Sequence, residues 1–278
     1  MYLVRRYAVL KEVIPTIETT YSIPGVPSLA LLADFHNGAP EPILASLQLH
    51  SPSLICICGD IIVGHRPEGD RSPLETQANV LLFLSACASI APTFMSLGNH
   101  EWMVDQEDLA AITATAVTVL DNDWRSITVD GNEIILGGLT SGYVTDYRRF
   151  HATQPAEPRY PRREDLYGIG GVRAEHKPDA EWLEEYCSSS GYHILLSHHP
   201  EYWATVRDMS IDLVLSGHAH GGQWRVFNHG VWSPGQGFWP KWTRGVYEDR
   251  LVVSAGLSNT TWIPRFYNPT EIVYIEGS

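Results

Sequence analysis

Cysteine and cationic residues are scarce in this 278-residue chain, and no apolar run approaches the roughly 18 residues that a membrane-spanning helix needs. Lys and Arg number 19 against 32 Asp and Glu, which gives a net charge of -13. Such a charge repels polyanions, so we exclude non-specific nucleic-acid binding. A hydrophobic content of 44% excludes wholesale disorder, and we expect a single folded domain over residues 1–278.

The N-terminal segment carries Arg5 and Arg6 but no secretory core, because the apolar run that follows them ends at Lys11. We therefore expect a cytoplasmic protein without a transmembrane segment, and contact with a membrane surface stays open. In that compartment the 4 cysteines are reduced thiols rather than a disulfide framework. Cys56 and Cys58 lie in an apolar run, where we expect them to pack in the core rather than bind metal.

Short apolar runs that alternate with segments of helical composition indicate an α/β or an α+β fold. The predicted strands are Leu29–Ala33, Leu54–Cys58, Thr93–Leu97, Tyr192–Ser197 and Leu213–Ser216. Their near-continuous hydrophobicity is typical of strands buried on both faces. The predicted helices are Glu41–His50, Ser72–Ser89 and Ala180–Ser188, the second with Ser72 as its N-cap and Pro73 in its first turn.

The middle and the end of the chain add antiparallel pairing. Asp130-Gly131 is a turn sequence that joins Trp124–Val129 and Glu133–Gly138 in a hairpin. Further strands are predicted at Trp224–Phe227, Gly245–Tyr247, Leu251–Ser254 and Glu271–Ile275. Two mixed β-sheets packed face to face would use all of these strands.

Residues 141–180 differ from the rest of the chain in charge and texture. They carry seven cations and six acids, with three prolines near their centre. A long irregular loop in a compact domain is usually functional or disordered, and we expect a cap-like insertion over 141–180. Arg148 and Arg149 are its candidate substrate-binding residues, and the alternative is a solvated surface loop.

Polar side chains follow each of the five apolar runs. They are Asp34 and His36, then Asp60, then Asn99, His100 and Glu101, then His198, and last His218 and His220. Binding sites in open α/β sheets lie beyond the carboxyl ends of strands, so we expect these groups to converge. Imidazole mixed with carboxylate suits Mn, Fe, Zn or Co. Seven of these nine side chains are candidate ligands, which is too many for one ion, and two ions sharing a carboxylate can cleave a phosphate ester.

These blocks, in this order, resemble the calcineurin-like metallophosphoesterases. The C-terminal motifs Gly221-Gly222-Gln223, Pro234-Gly235-Gln236-Gly237, Lys241-x-x-Arg244-Gly245 and Pro264-Arg265-Phe266-Tyr267-Asn268-Pro269 resemble the bacterial branch that includes YkuE-like phosphoesterases. The resemblance implies a four-layer α/β/β/α sandwich with two divalent ions, Mn or Fe first, with Zn, Ni, Co or Mg as alternatives. Many relatives carry a further acid after Gly-Asp and a membrane segment at the start, and both are missing here.

The resemblance also implies roles for single residues. The assigned metal ligands are Asp34, His36 and His220 for one ion, Asn99, His198 and His218 for the other, and Asp60 for both. In this scheme a bridging hydroxide attacks phosphorus, and His100 donates a hydrogen bond or proton to the leaving oxygen. Glu101 is the candidate that orients His100. The implied activity is hydrolysis of a small phosphodiester, with phosphomonoesters as further substrates.

Several alternatives stay open at this stage. The enzyme could instead be a UDP-diacylglucosamine-type pyrophosphatase acting on a nucleotide-linked lipid, and a non-catalytic metal-binding scaffold is a third reading. For the aromatic residues of 224–242 we expect packing rather than ligand binding. His65 and Arg66 are substrate-binding candidates or surface-loop residues. His193 and His199 are expected to be a strand and a loop residue without a ligand role, and the oligomeric state is undetermined.

Overall fold

A computed structural model describes residues 15–64, 72–153, 176–259 and 264–277. Its strands are β1 (Thr16–Ser22), β2 (Leu29–Leu32), β3 (Leu54–Cys58), β4 (Thr93–Ser96), β5 (Thr118–Leu120), β6 (Asp123–Val129), β7 (Asn132–Leu139), β8 (Tyr192–Ser197), β9 (Leu213–Ser216), β10 (Arg225–Val226), β11 (His229–Gly230), β12 (Trp232–Ser233), β13 (Gly237–Phe238), β14 (Gly245–Tyr247), β15 (Leu251–Val253) and β16 (Thr270–Glu276). Its helices are α1 (Glu41–His50), α2 (Pro73–Thr76), α3 (Asn79–Ile90), α4 (Gln106–Thr113), α5 (Gly142–Thr153), α6 (Leu183–Ser188) and α7 (Trp203–Val206).

Two six-stranded mixed sheets organise the described residues. The first has the order β1-β16-β2-β3-β4-β5, in which β2 to β5 run parallel and β16 pairs antiparallel with β2. The second has the order β14-β15-β9-β8-β7-β6, with β15, β9, β8 and β7 parallel. The predicted hairpin is confirmed, since β6 and β7 pair antiparallel across Asp130-Gly131. All five predicted apolar strands lie in the parallel parts of these sheets.

Alternation along the strands divides the apolar core into layers. In β2, Leu29 and Leu31 face the second sheet, whereas Ala30 and Leu32 face the helices α1 and α3. The outer face of the second sheet packs on α6 and α7 through residues such as Leu183. The result is the expected order of helix, sheet, sheet and helix. Cys56 and Cys58 are buried free thiols, as predicted.

The sequence-based boundaries are wrong in three places. Residues 72–89 form two helices rather than one, because the chain breaks helical geometry at Gln77 between α2 and α3. The edge strand β1 was not predicted, since its alternating exposed and half-buried residues lack a continuous apolar run. The irregular loop expected from residue 141 begins instead with the twelve-residue helix α5. The predicted N-cap at Ser72 is confirmed, because Ser72 Oγ accepts a hydrogen bond from the Leu74 amide.

His65 and Arg66 lie outside the described residues, so their substrate role stays a prediction, as does the cap-like character of 141–180. Among the described residues no helix has the length and apolarity needed to cross a bilayer. The cytoplasmic location likewise stays a prediction.

Candidate metal centre

The five predicted blocks meet where the carboxyl ends of the two sheets adjoin. The loop after β2 bonds to the loop after β3, since the amides of Asp34 and His36 donate to the carbonyls of Gly59 and Asp60. The two sheets are joined here as well, because the His218 amide donates to Asp34 Oδ2 at 3.1 Å. Parallel strand direction therefore brings residues distant in sequence into one pocket, as expected for open α/β sheets.

Most of the assigned ligands sit in left-handed backbone conformations. Asp34, His36, Asp60, His218 and His220 all have φ between 45° and 63°. Such conformations are uncommon for residues other than glycine and cost free energy that the surrounding structure must supply. Sharp turns at the strand ends thus aim these side chains into the pocket.

The first cluster consists of Asp34, His36 and His220. The distances from Asp34 Oδ1 to the Nε2 atoms of His36 and His220 are 3.7 and 3.6 Å. His36 Nδ1 donates to the Ile62 carbonyl at 2.8 Å, which leaves Nε2 facing the carboxylate. These three atoms lie close enough to one another to share one ion.

The second cluster consists of Asp60, His198 and His218. Asn99 precedes His100, whose amide donates to Asp60 Oδ1 at 2.8 Å. His198 Nε2 lies 3.1 Å from Asp60 Oδ2, and its Nδ1 donates to the Cys58 carbonyl at 2.6 Å. His36 Nε2 approaches the same Asp60 oxygen at 3.8 Å. The carboxylate of Asp60 therefore stands between the two clusters, where one group could serve two ions.

Buried atoms without a hydrogen-bond partner test whether the residues present fit divalent ions. Within the described chain, such atoms include Asp34 Oδ1, His36 Nε2, Asn99 Oδ1 and His198 Nε2. An unsatisfied buried polar atom costs free energy, and three of these four atoms belong to residues of the two clusters. The donor set and its orphaned atoms thus fit bound divalent cations.

The protonation states of the assigned ligands differ. Burial lowers the pKa of His220 to about 3 and holds that of His218 well below its usual value, so both imidazoles are neutral. Burial acts to lower the pKa of His36 and His198 too, but the carboxylates of Asp34 and Asp60 raise both, that of His198 to about 10. Burial acts to raise the pKa of Asp60, but His100 and His198 hold it well below the ordinary value. Metal binding requires neutral imidazole and ionised carboxylate, so His36 and His198 would release a proton as an ion binds.

His100 is placed differently from the ligands. Its side chain is 25% exposed, whereas that of Asp60 beside it is 2% exposed. Its Nδ1 accepts a hydrogen bond from the Gly64 amide at 2.6 Å, so the ring proton of the neutral imidazole lies on Nε2. That Nε2 lies 3.7 Å from Asp60 Oδ2 at the open side of the pocket. This geometry is compatible with the predicted donation from His100 to a substrate, which stays a prediction.

Glu101 is predicted from the sequence to orient His100 through its carboxylate, and this prediction is wrong. Its buried carboxylate instead accepts from the amides of Asp60, Ile61 and Gly98 at 2.7 to 2.8 Å. Burial, with the nearby Asp60 charge, raises the pKa of Glu101 to about 7, while these amides act in the opposite direction. Glu101 is thus the clamp that joins the loops carrying Asp60 and Asn99.

Two residues beside the second cluster were missed as functional candidates. His199 is the predicted loop residue before Pro200, but it is buried, and its Nε2 hydrogen-bonds Ser141 Oγ at 2.8 Å. Glu201 Oε1 lies 3.4 Å from His199 Nδ1 and 3.7 Å from His218 Nε2. The only sequence signal was their proximity to His198. His193, by contrast, is a strand residue of β8, as predicted.

The two candidate arginines on α5 have acidic neighbours. Arg148 Nη1 lies 2.7 Å from Asp121 Oδ2, and Arg149 lies 3.5 Å from Asp146. The helix itself packs on the 3₁₀ turn His100–Met103, where Tyr147 contacts Trp102. The helix therefore flanks the pocket, and substrate binding by these arginines stays a prediction.

Comparisons with known proteins agree with the geometry. The family described as calcineurin-like phosphoesterase matches residues 27–222, a range that contains all seven assigned ligands. An uncharacterized metallophosphoesterase of Campylobacter jejuni is 28% identical over 94% of this chain and 60% of its own length. A second one, from Helicobacter pylori, is 26% identical over 89% of this chain and 58% of its own length.

One further relative and one solved structure carry more specific names. The phosphodiesterase YaeI of Escherichia coli is 28% identical over 68% of this chain and 64% of its own length. Among solved structures, a 5'-nucleotidase precursor from Thermus thermophilus aligns with a TM-score of 0.47 at 15% identity, covering 72% of this chain and 43% of that one. The chain thus spans less than two thirds of the length of these proteins.

Proposed function

The chain belongs to the calcineurin-like phosphoesterase family, and we propose that it hydrolyses phosphodiesters at a centre of two divalent ions. The observation that carries the proposal is the position of the Asp60 carboxylate. It lies within 3.8 Å of His36 on one side and 3.1 Å of His198 on the other. The name of the relative YaeI supports a diester rather than a monoester as substrate.

The ligand sets follow the two clusters and the shared carboxylate. One ion would be held by Asp34, His36, His220 and Asp60, and the other by Asp60, Asn99, His198 and His218. Mn or Fe suits this mixture of nitrogen and oxygen donors, and Zn, Co, Ni and Mg are the alternatives. Bound ions would lower the pKa of water and neutralise charge on phosphate oxygens.

The protein's own residues then provide order and protons. The carbonyls of Ile62 and Cys58 fix the tautomers of His36 and His198, so their Nε2 atoms need no rearrangement to accept an ion. Glu101 holds the loops of Asp60 and Asn99 together. The Nε2 proton of His100 faces the open side, where it can bond a phosphate or leaving-group oxygen. Keeping all these groups in place disfavours a non-catalytic scaffold.

Hydrolysis of two chromogenic esters tests the proposal. Chelator-treated protein should cleave bis-p-nitrophenyl phosphate faster than p-nitrophenyl phosphate once Mn²⁺, Fe²⁺, Zn²⁺, Co²⁺, Ni²⁺ or Mg²⁺ is restored singly. His100→Ala should retain its metal content but lower kcat by roughly 10²-fold. His50→Ala, at the surface of α1, is the matched control and should keep full activity. Folded, metal-loaded protein that cleaves neither ester contradicts the proposal.

A further inference from the structure

Exposed apolar side chains are concentrated in one part of the described chain. Among the described residues, ten large hydrophobic side chains are exposed, and eight of these lie between residues 224 and 267. They are Trp224, Val226, Phe227, Phe238, Trp239, Val246, Phe266 and Tyr267. Phe227 is 100% exposed, and Phe238 is 82% exposed. The expectation that aromatic residues of 224–242 pack inside the protein is wrong for these two, although Trp242 does pack on the core.

Some of these side chains lie at turns, and others lie on the short strands β10, β13 and β14. Val226 and Phe227 share one groove with Phe266 and Tyr267. The ring of Trp239 stacks on His229, which pairs with Val226 across β10 and β11. We call the set Phe227, Phe238, Trp239, Phe266 and Tyr267 the aromatic surface. Large apolar patches on a protein surface mark sites of interaction.

Backbone strain adds to the cost of this arrangement. Phe227, Trp239 and Tyr267 have φ of 50°, 56° and 50°, a left-handed region that bulky residues rarely adopt. Their side chains gain little packing in return, because Trp239 is 66% and Tyr267 is 79% exposed. Strain and exposed aromatic area together indicate that the surface is shaped for something outside the folded chain.

The charge of this region is opposite to that of the whole protein. Residues 221–247 and 256–270 contain four cations and no Asp or Glu, so the rest of the chain has a net charge of -13 - 4 = -17. Lys241 is exposed beside Trp242, and Arg225 bonds neutral groups such as the Gly221 carbonyl. Arg244, in contrast, pairs with Glu271, and Arg265 is buried. Among the described residues, Lys241 and Arg225 are therefore the two cations that lie in this region without an acidic partner, in an otherwise acidic protein.

From the aromatic side chains and the local charge we infer that this surface docks on a phospholipid bilayer containing anionic lipid. Aromatic rings are enriched at the level of lipid headgroups, and cations add attraction to an anionic leaflet. A second copy of the chain fits less well, because two-fold contact would place the same cations against each other. The acidic remainder would be repelled by the leaflet, which fixes the orientation of the protein.

The surface is tied to the metal centre. Asn268 Nδ2 donates to the His220 carbonyl at 2.7 Å, one residue beyond Tyr267. Gly235, between β12 and β13, lies so close to Glu201 that an added Cβ would collide with its carboxylate. Docking through the aromatic surface would therefore hold the metal centre near the bilayer. The inference concerns binding and does not depend on the proposed hydrolysis.

Vesicle flotation tests the inference without an activity assay. Wild-type protein should float with vesicles of phosphatidylcholine containing a minority of phosphatidylglycerol, and the emission of Trp239 and Trp224 should shift to shorter wavelength. The double variant Phe227→Ser with Phe238→Ser should bind at least about tenfold more weakly. Leu49→Ser with Leu82→Ser, which removes two exposed leucines from α1 and α3, is the matched control and should bind like wild type.

A charge variant and two further results decide the outcome. Lys241→Glu should weaken binding to the mixed vesicles by about tenfold and leave binding to pure phosphatidylcholine unchanged. A wild-type protein that does not float overturns the inference, as does equal loss in the leucine control. A dimer that disappears in the phenylalanine variant, without vesicle binding, assigns the surface to a second copy. Cleavage of a soluble diester should be the same in all these variants, which separates this test from the previous one.

Discussion

The metal centre and the aromatic surface depart in opposite directions from the usual partition between interior and exterior. At the metal centre, Asp34 and His198 are completely buried. On the aromatic surface, Phe227 is completely exposed, although an equivalent ring at Phe83 is buried against Phe35. Both regions use left-handed residues at turns. Each arrangement costs stability, and in each case an external group would recover the cost: cations in the first and lipid in the second.

The largest effect is expected at the metal centre, where removal of the shared carboxylate should reduce both metal content and kcat. Asp60→Asn keeps a side chain that tolerates the left-handed backbone but loses the charge between the clusters. We expect at least one ion to be lost and kcat to fall roughly 10³-fold. Metal analysis and diester hydrolysis measure the two effects, with the exposed Asp123→Asn as control. Full activity with both ions bound would rule out a bridging role.

The clamp between the two loops should matter for stability as well as chemistry. Glu101→Gln replaces one acceptor oxygen by an amide nitrogen that faces backbone amides, so buried donors lose their partner. The free energy of unfolding should fall by about 2 kcal/mol in a urea titration. Glu107→Gln, on the exposed side of α4, should change it little. If the free energy of unfolding were unchanged in Glu101→Gln, the two loops would be shown to stay together without the Glu101 carboxylate.

A smaller effect is expected from the acid beside His218. The Glu201 carboxylate faces His218 Nε2 and His199 Nδ1, so it can fix the ring of an assigned ligand. Glu201→Gln should weaken metal affinity by about tenfold in a competitive chelator titration, with kcat of the fully loaded enzyme nearly unchanged. Glu185→Gln on α6 is the control. Equal affinities in both variants would remove Glu201 from the metal centre.

The smallest change in the free energy of unfolding is expected on the aromatic surface. A buried phenylalanine provides the contrast. Phe83→Ala should lower the free energy of unfolding by about 4 kcal/mol, because it leaves a cavity beside Phe35. Phe227→Ala should change it by no more than about 0.5 kcal/mol, because its side chain is 100% exposed. Urea titrations of the two variants make the comparison. A large loss at Phe227 would mean that its ring has a partner within the protein.

Local pattern was sufficient for much of the fold. Leu54–Cys58 and Gly245–Tyr247 were predicted with the bounds that the structure has, because continuous or alternating hydrophobicity is a property of neighbouring residues. The edge strand β1 was not predicted, because half-exposed residues such as Glu18 and Thr20 give little hydrophobic signal. The helix α5 was not predicted, because the charged residues and nearby prolines of 141–180 are typical of a loop.

The sequence by itself determined which residues can hold metal and in what order they follow the strands, because ligand chemistry and strand ends are local properties. Only the tertiary structure decided how those residues act. The His198 ring is oriented by the Cys58 carbonyl, 140 positions away, and Glu101 turns to the amides of another loop instead of to His100. The exposure of Phe227 was decided in the same way. Burial, tautomer and hydrogen-bond partner depend on contacts between distant segments, and no local pattern encodes those contacts.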